Sequence, residues 1–302
     1  MNRIYPILFV FFIPLIAFNQ VNSTYSLKVL GVVQDGGLPH LGSNKLCCEN
    51  IEQKRYVTSI MLINNENKES YLFDASPDIN EQLNFMGDGI KKNLKGIFLT
   101  HAHIGHYTGL MYLGKESYNS VSVPVFAMTR MKGFLIKNGP WSQLFKLNNI
   151  KLNNINHQEE IKLSNNLSIT PFLVPHRDEF SETIGFKING PKKSVLFIPD
   201  IDKWGKWNKN LKQEIKKADL ALLDGTFYDS KEVNSRNISE IPHPFIIETM
   251  ALFKEENNSE KSKINFIHLN HTNPLLDTNS AVFKKVKENG FNVAQYKDII
   301  NL

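Results

Sequence analysis

The 302-residue chain reads as an α/β protein, with strands and helices alternating around a layered sheet. Three observations predict that class. Short apolar runs of strand length recur along the chain, separated by turn residues or by segments with helical spacing. Several of these runs end in a residue able to do chemistry: His101, His176, Asp200, Asp224 and His268 each stand at or just past the carboxyl end of one. The run Gly96–Leu99 passes straight into Thr100-His101-Ala102-His103-Ile104-Gly105-His106, with imidazoles at i, i+2 and i+5. Strand ends on one edge of a layered sheet are where α/β folds assemble their sites.

Leu27 to Val33 is the first predicted strand, and Gln34-Asp35-Gly36-Gly37 is a turn where backbone can approach a ligand closely. Asp35 then stands at the mouth of a pocket or is an ordinary turn residue. Thr58 to Ile63 and Tyr71 to Asp74 read as paired strands around Asn64-Asn65-Glu66-Asn67. Pro77 opens a helix to about Met86, since proline is tolerated in a first turn. Beyond the histidines, Tyr107 to Leu113 is a predicted helix and Val121 to Ala127 a strand. Arg130 to Lys137 is a helix stopped by Asn138-Gly139-Pro140. Strands are expected at Ile150–Ile155, Leu167–Val174, Ile184–Ile188, Ser194–Ile198, Leu220–Leu223, Ile264–Ile267 and Phe291–Ala294. Helices are expected at Asn208–Lys217, Pro244–Phe253 and Thr278–Asn289.

The amino terminus has its own logic. Met1-Asn2-Arg3 is a positive start, Ile4 to Phe18 is almost wholly apolar, and Asn19-Gln20 is polar. Such a run is short for a membrane span and suits the apolar core of an export signal. Residues 1–22 are therefore read as a signal peptide, with the mature protein periplasmic or secreted. Membrane contact would come only through an uncleaved signal, and no cysteine follows the run to carry a lipid. The remainder, 25–302, shows no repeat and no linker, so one domain is expected. The net charge of +5 is scattered through surface pairs such as Lys91-Lys92 and Lys216-Lys217, which argues against a nucleic-acid partner. Self-association as a homodimer stays open.

Only two cysteines exist, the neighbours Cys47 and Cys48. A disulfide between adjacent residues closes a very tight ring, so a structural bridge is not expected. A small structural metal site with His40, or packed inert thiols, are the two readings. For His101, His103 and His106 the chemistry is sharper. Three of the nine histidines fall within six residues, and clustered neutral imidazoles are ready zinc ligands. Iron and manganese accept the same donors.

The order His101-x-His103-x-x-His106, His176, Asp200 and His268 resembles the metallo-β-lactamase fold superfamily. More narrowly, Gln34-Asp35-Gly36-Gly37, Val174-Pro175-His176-Arg177, Asp224-Gly225-Thr226-Phe227 and His268-Leu269-Asn270-His271-Thr272-Asn273-Pro274 are similar to its PqqB-like branch, the coenzyme PQQ synthesis B proteins. The resemblance runs from about Leu27 to the end and implies an αββα four-layer sandwich. It implies a first metal site of His101, His103 and His176, and a second of His106 and His268, with Asp200 bridging the ions. His271 would be a pocket residue, because His268 directly ends its strand. Two departures stand out. Gly105 occupies the place where the superfamily usually has a ligand Asp, so the second site is weaker, keeps an extra water, or is completed by Asp35 or His271. Ser43 stands where relatives commonly have a further structural cysteine.

These residues lead to an exported metal-dependent hydrolase acting on an ester-type bond of a small molecule: phosphodiester, thioester or lactone. Asp200 would hold the nucleophile, and His243, His271 or Asp224 would replace the missing Asp as proton donor. Two alternatives come from other classes. One is a PqqB-like iron-dependent oxidative enzyme linked to pyrroloquinoline quinone synthesis, and the other a non-catalytic metal or ligand binder.

Overall fold

A computed structural model describes residues 23–49, 54–233 and 241–302. The expected signal, residues 1–22, lies outside the described residues. The remainder forms two seven-stranded mixed sheets, face to face, with helices on both outer surfaces.

The first sheet holds β1 (Tyr25–Gly31), β2 (Ser59–Asn64), β3 (Ser70–Phe73), β4 (Leu94–Phe98), β5 (Val123–Ala127), β6 (Ile150–Asn154) and β14 (Ile299–Asn301), in the order β14-β1-β2-β3-β4-β5-β6. The second holds β7 (Ile161–Ser164), β8 (Leu167–Leu173), β9 (Ile184–Asn189), β10 (Ser194–Ile198), β11 (Leu220–Asp224), β12 (Ile264–Ile267) and β13 (Asn292–Val293), in the order β13-β12-β11-β10-β9-β8-β7. Each sheet is half antiparallel and half parallel. In the first, β3, β4, β5 and β6 run parallel; in the second, β10, β11, β12 and β13 do. The carboxyl ends of the two parallel halves converge, and every candidate ligand described below except Asp35, His176 and His243 ends or follows a strand of one of them.

The near-continuous apolar composition of β10 and β11 reflects burial on both faces. Between the sheets, Phe73 and Phe98 stack with centroids 5.1 Å apart, and Phe186 of the opposite sheet meets both edge-on at 5.3 and 5.7 Å. This aromatic contact holds the two strand-end rows together just beneath the site. Helices Ile79–Met86, Thr129–Lys137 and Trp141–Lys146 cover the first sheet through Ile79, Met131, Leu135 and Leu144. Leu211–Lys216, Ile246–Leu252 and Ala281–Glu288 cover the second through Leu211, Ile215, Ile246 and Val286.

Several boundaries differ from the sequence reading for identifiable reasons. The helix expected over Tyr107–Leu113 is instead one α-turn, Ile104–Tyr107, followed by a 3-10 segment, Thr108–Leu113. Ala75 intervenes: its N–H donates to His106 O and its carbonyl accepts from Gly109 N, both at 2.9 Å, which tightens the chain there. The strand expected from Val121 starts at Val123, because Ser122 is left-handed at φ 52°. Strands β7 and β14 and the helix Trp141–Lys146 were not foreseen. The two strands are short, partly polar edge strands, and the helix begins directly after the Asn138-Gly139-Pro140 stop.

Candidate metal centre

Asp200 is the hub. It follows β10 and is 2% exposed, and its Oδ2 lies 3.2 Å from His101 Nε2 and 3.3 Å from His176 Nε2. The same oxygen is 3.9 Å from both His103 Nδ1 and His106 Nε2. His101, His103, His176 and Asp200 thus offer ligand atoms within 4.8 Å of one another, and so do Asp35, His106 and His268. A third overlapping group joins Asp200 and His268 to Asp224 and His243. Within that third group, Asp224 and His243 are already hydrogen-bonded to each other. Asp224 accepts from Thr226 N and Oγ1, Ile201 N and His243 Nδ1, at 2.8–3.1 Å. The first two groups, in contrast, contain buried atoms without any hydrogen-bond partner: His176 Nε2, His106 Nε2, His268 Nε2 and Asp35 Oδ1. Buried polar groups are almost always paired. Orphaned imidazole nitrogens and carboxylate oxygens aimed at one space are what a pair of cations would satisfy, and the donor set suits zinc, iron or manganese.

The imidazoles are held by two matching devices, one per sheet. Asp74, just past β3, accepts from Thr100 N at 2.8 Å and from the Thr100 hydroxyl, while its Oδ2 lies 2.7 Å from His106 Nδ1. Asp224, ending β11, accepts from Thr226 N and hydroxyl in the same way. Each hydroxyl proton is committed to its Asp, so each threonine oxygen is left to accept. His101 Nδ1 lies 3.0 Å from Thr100 Oγ1, and His268 Nδ1 lies 3.0 Å from Thr226 Oγ1. The ring proton therefore sits on Nδ1, and Nε2 faces the centre with its lone pair. His103 is reversed, with Nε2 3.0 Å from Glu179 Oε2 and Nδ1 turned inward.

Charge follows from this packing. Burial, helped by the neighbouring His106, holds the His101 ring well below the usual histidine range, so it is a neutral ligand. Burial opposes charge on His106 too, but the carboxylates of Asp74 and Asp35 outweigh it and hold its ring well above that range. Burial alone would raise the Asp35 carboxyl; His106 and His268 instead hold it well below the ordinary value. His268 takes a left-handed backbone, φ 62°, uncommon outside glycine but several-fold enriched in Asn, Asp and His.

Of the remaining sequence candidates, Asp224 and His243 belong to the third group, while His271, His40, Cys47 and Cys48 belong to none among the described residues. His243 is buried at the cavity wall, its Nδ1 3.1 Å from Asp200 Oδ1 and 2.9 Å from Asp224 Oδ2. Asp224, expected as a proton donor, is fully buried with both oxygens engaged, one of them by His243 Nδ1. His271 stacks on His40, centroids 4.2 Å apart, and lines the cavity. Burial pushes its ring down to about 4, helped by His40 and Lys45. For the cysteine loop, Cys48 Sγ accepts from the backbone N of His40 at 3.2 Å and lies 3.4 Å from Cys47 Sγ. The His40 ring stacks on His271, and among the described residues no group of possible metal ligands joins His40, Cys47 and Cys48. Asp74, Thr100, Thr226 and Glu179 were missed as functional residues. Asp74 was findable, since it ends an apolar strand as Asp200 and Asp224 do.

Comparison with known proteins identifies the family and the fold. The chain is 25% identical over 301 residues to coenzyme PQQ synthesis protein B of Acinetobacter baumannii, covering 89% of this chain and 97% of that protein. The corresponding protein of Methylococcus capsulatus is 25% identical over 305 residues, with the same coverage. Among solved structures, zinc-bound PqqB from Methylobacterium extorquens superposes with a TM-score of 0.74 at 22% identity, over 92% of this chain and 100% of that one. A diphosphatase of the PhnP family gives 0.63 at 19% identity, over 91% and 96%. The family profile described as the beta-lactamase superfamily domain matches residues 69–268, a span that holds every candidate ligand except Asp35. That match covers more than half of the chain, and the chain belongs to the beta-lactamase superfamily.

Proposed function

We propose that the protein is a metal-dependent hydrolase that cleaves an ester-type bond, phosphodiester, thioester or lactone, in a small molecule. The observation that carries this reading is Asp200, whose single Oδ2 faces His101, His176, His103 and His106 at 3.2–3.9 Å. His101, His103 and His176 would hold one ion and His106 with His268 a second, Asp200 lying between. Divalent cations such as zinc supply, when bound there, a water activated at neutral pH and polarisation of the substrate oxygen.

The chain's own side chains supply the rest. A cavity of about 830 Å³ opens beside the centre, lined by Lys45, Arg177, Phe227, His243 and His271. Lys45 and Arg177 bind and orient an anionic substrate group, and Phe227 packs against its apolar part. Against burial that would lower it, Asp224 and Asp200 raise the His243 ring to about 10. His243 therefore holds protons on both ring nitrogens at neutral pH, and with its Nδ1 proton engaged by Asp224 it can pass the Nε2 proton to a leaving group in the cavity.

The test is metal content and turnover of generic phosphodiester, thioester and lactone substrates, in wild type and in His103→Ala and His176→Ala. Two zincs per chain and loss of at least tenfold in metal affinity and turnover in the variants are expected, since even residues supporting a ligand are worth about 10- to 100-fold. Unchanged metal content and turnover would remove the proposal. A second reading, an iron-dependent oxidation in quinone cofactor synthesis, draws on the similarity to coenzyme PQQ synthesis B proteins and on a donor set that suits iron as well as zinc. Iron in place of zinc after purification without added metal would favour that reading, and no metal at all a non-catalytic binder.

A further inference from the structure

We propose that Asp35 supplies the carboxylate ligand of the second ion, and that residue 105 is glycine because this carboxylate fills its side-chain space. The inference rests on the metal-centre reading above and adds to it a ligand from outside the superfamily-matched span.

Three facts place Asp35 there. Its Oδ1 lies 3.2 Å from His106 Nε2 and 3.6 Å from His268 Nε2. All three atoms are buried and none has a hydrogen-bond partner, so they converge without satisfying one another. The carboxylate is also held in place. After β1 the chain leaves the first sheet, and Val33 bridges to both Val57 and Leu269, tying the segment to the end of β12. Gln34 N donates to Leu269 O at 2.9 Å, and Gln34 Oε1 accepts from Asn270 Nδ2 at 2.8 Å. Asp35 is thus fixed against His268 by backbone and side-chain bonds on the residue before it.

Gly105 supplies the complementary observation. It lies inside the turn Ile104–Tyr107, and it is not among the left-handed glycines, so its backbone conformation does not call for glycine. Space does. A Cβ at residue 105 would stand 2.2 Å from Asp35 Oδ1 and 2.7 Å from Asp35 Cα. The second contact is to backbone, so rotating the Asp35 side chain would not relieve it. A side chain at 105 and a carboxylate from residue 35 exclude each other.

The test uses the full chain, stripped of metal and reloaded with zinc. Stoichiometry is read by elemental analysis, affinity by competition with a chromophoric chelator, and folding by thermal unfolding. Wild type should hold two ions. Asp35→Ala should keep the first ion and hold the second at least tenfold more weakly, and Asp35→Asn should do the same while keeping the side-chain volume. Gly105→Ala, which removes no ligand, should weaken the second ion as well by driving Asp35 out. The proposal is overturned if folded Asp35→Ala or Asp35→Asn binds both ions as wild type does, or if Gly105→Ala leaves the second ion untouched. It is equally overturned if wild type holds a single ion that the Asp35 variants do not change. Wild type that binds no ion at all would instead defeat the metal-centre reading itself, an outcome visible before any variant is made.

Discussion

The smallest working unit of this site is an Asp–Thr–His set, and it occurs twice. Asp74 takes the Thr100 hydroxyl proton and Asp224 the Thr226 hydroxyl proton, so each threonine oxygen receives a ring N–H from a ligand histidine. Valine at either threonine keeps the shape and deletes that acceptor. Thr226→Val is expected to weaken metal binding by about 10- to 100-fold, through a freed His268 tautomer rather than a lost ligand. Chelator competition measures the loss, and the NMR chemical shifts of the His268 ring nitrogens distinguish a changed tautomer from a misplaced ring. Metal affinity unchanged in a folded Thr226→Val protein would show that the hydroxyl does not set the tautomer.

Among the elements, the segment after β11 carries the property most open to titration. Glu232 lies there in a half-buried position, accepting from Tyr228 N–H and from the Thr272 hydroxyl. Burial pushes its carboxyl from 4.5 up to about 7 despite these bonds. The native state therefore binds this proton more tightly than the unfolded chain. The protonated carboxyl's stabilisation is complete below the unfolded value of 4.5 and is lost as pH rises through about 7. Glu232→Gln has no proton to lose there. Relative to wild type, the variant is expected to gain stability between pH 5 and pH 8, read as the shift of the urea midpoint at the two pH values. Parallel midpoint curves for the two proteins across that range would contradict the assignment.

For the whole molecule, the site is a seam. His101, His103 and His106 come from the first sheet's strand end, and Asp200 and His268 from the second's, with Phe73, Phe98 and Phe186 packed beneath. An ion pair held across that seam links the two sheets, and a bound ligand stabilises the state that binds it. Removing metal with a chelator should lower the midpoint of thermal unfolding, and His103→Ala should start from the lower value and respond less. Export belongs to the same proposed function, supported by the apolar run Ile4–Phe18 behind Arg3. Amino-terminal sequencing should find the mature chain starting between about residues 18 and 24, and a retained Met1 would contradict export.

Much of this was legible in the linear chain. Apolar runs and the residues that end them are local features, so the strand ends at His101, Asp200 and His268, and the metal chemistry of clustered imidazoles, could be read directly. Asp74 obeys the same rule, but a lone Asp after a strand is also common in turns, so the position alone does not single it out. What periodicity could not supply was contact between distant segments. That Asp35 reaches His268 depends on the Val33–Leu269 bridge between two sheets, and that Asp224 serves His243 depends on a loop returning to the end of β11. Gly105 shows the division most clearly. The sequence alone displayed a missing carboxylate and left its replacement open between Asp35, His271 and water. The tertiary structure adds what the sequence could not hold, that the space a side chain at 105 would need is already taken by Asp35, and the proposal of Asp35 as the replacement rests on that contact.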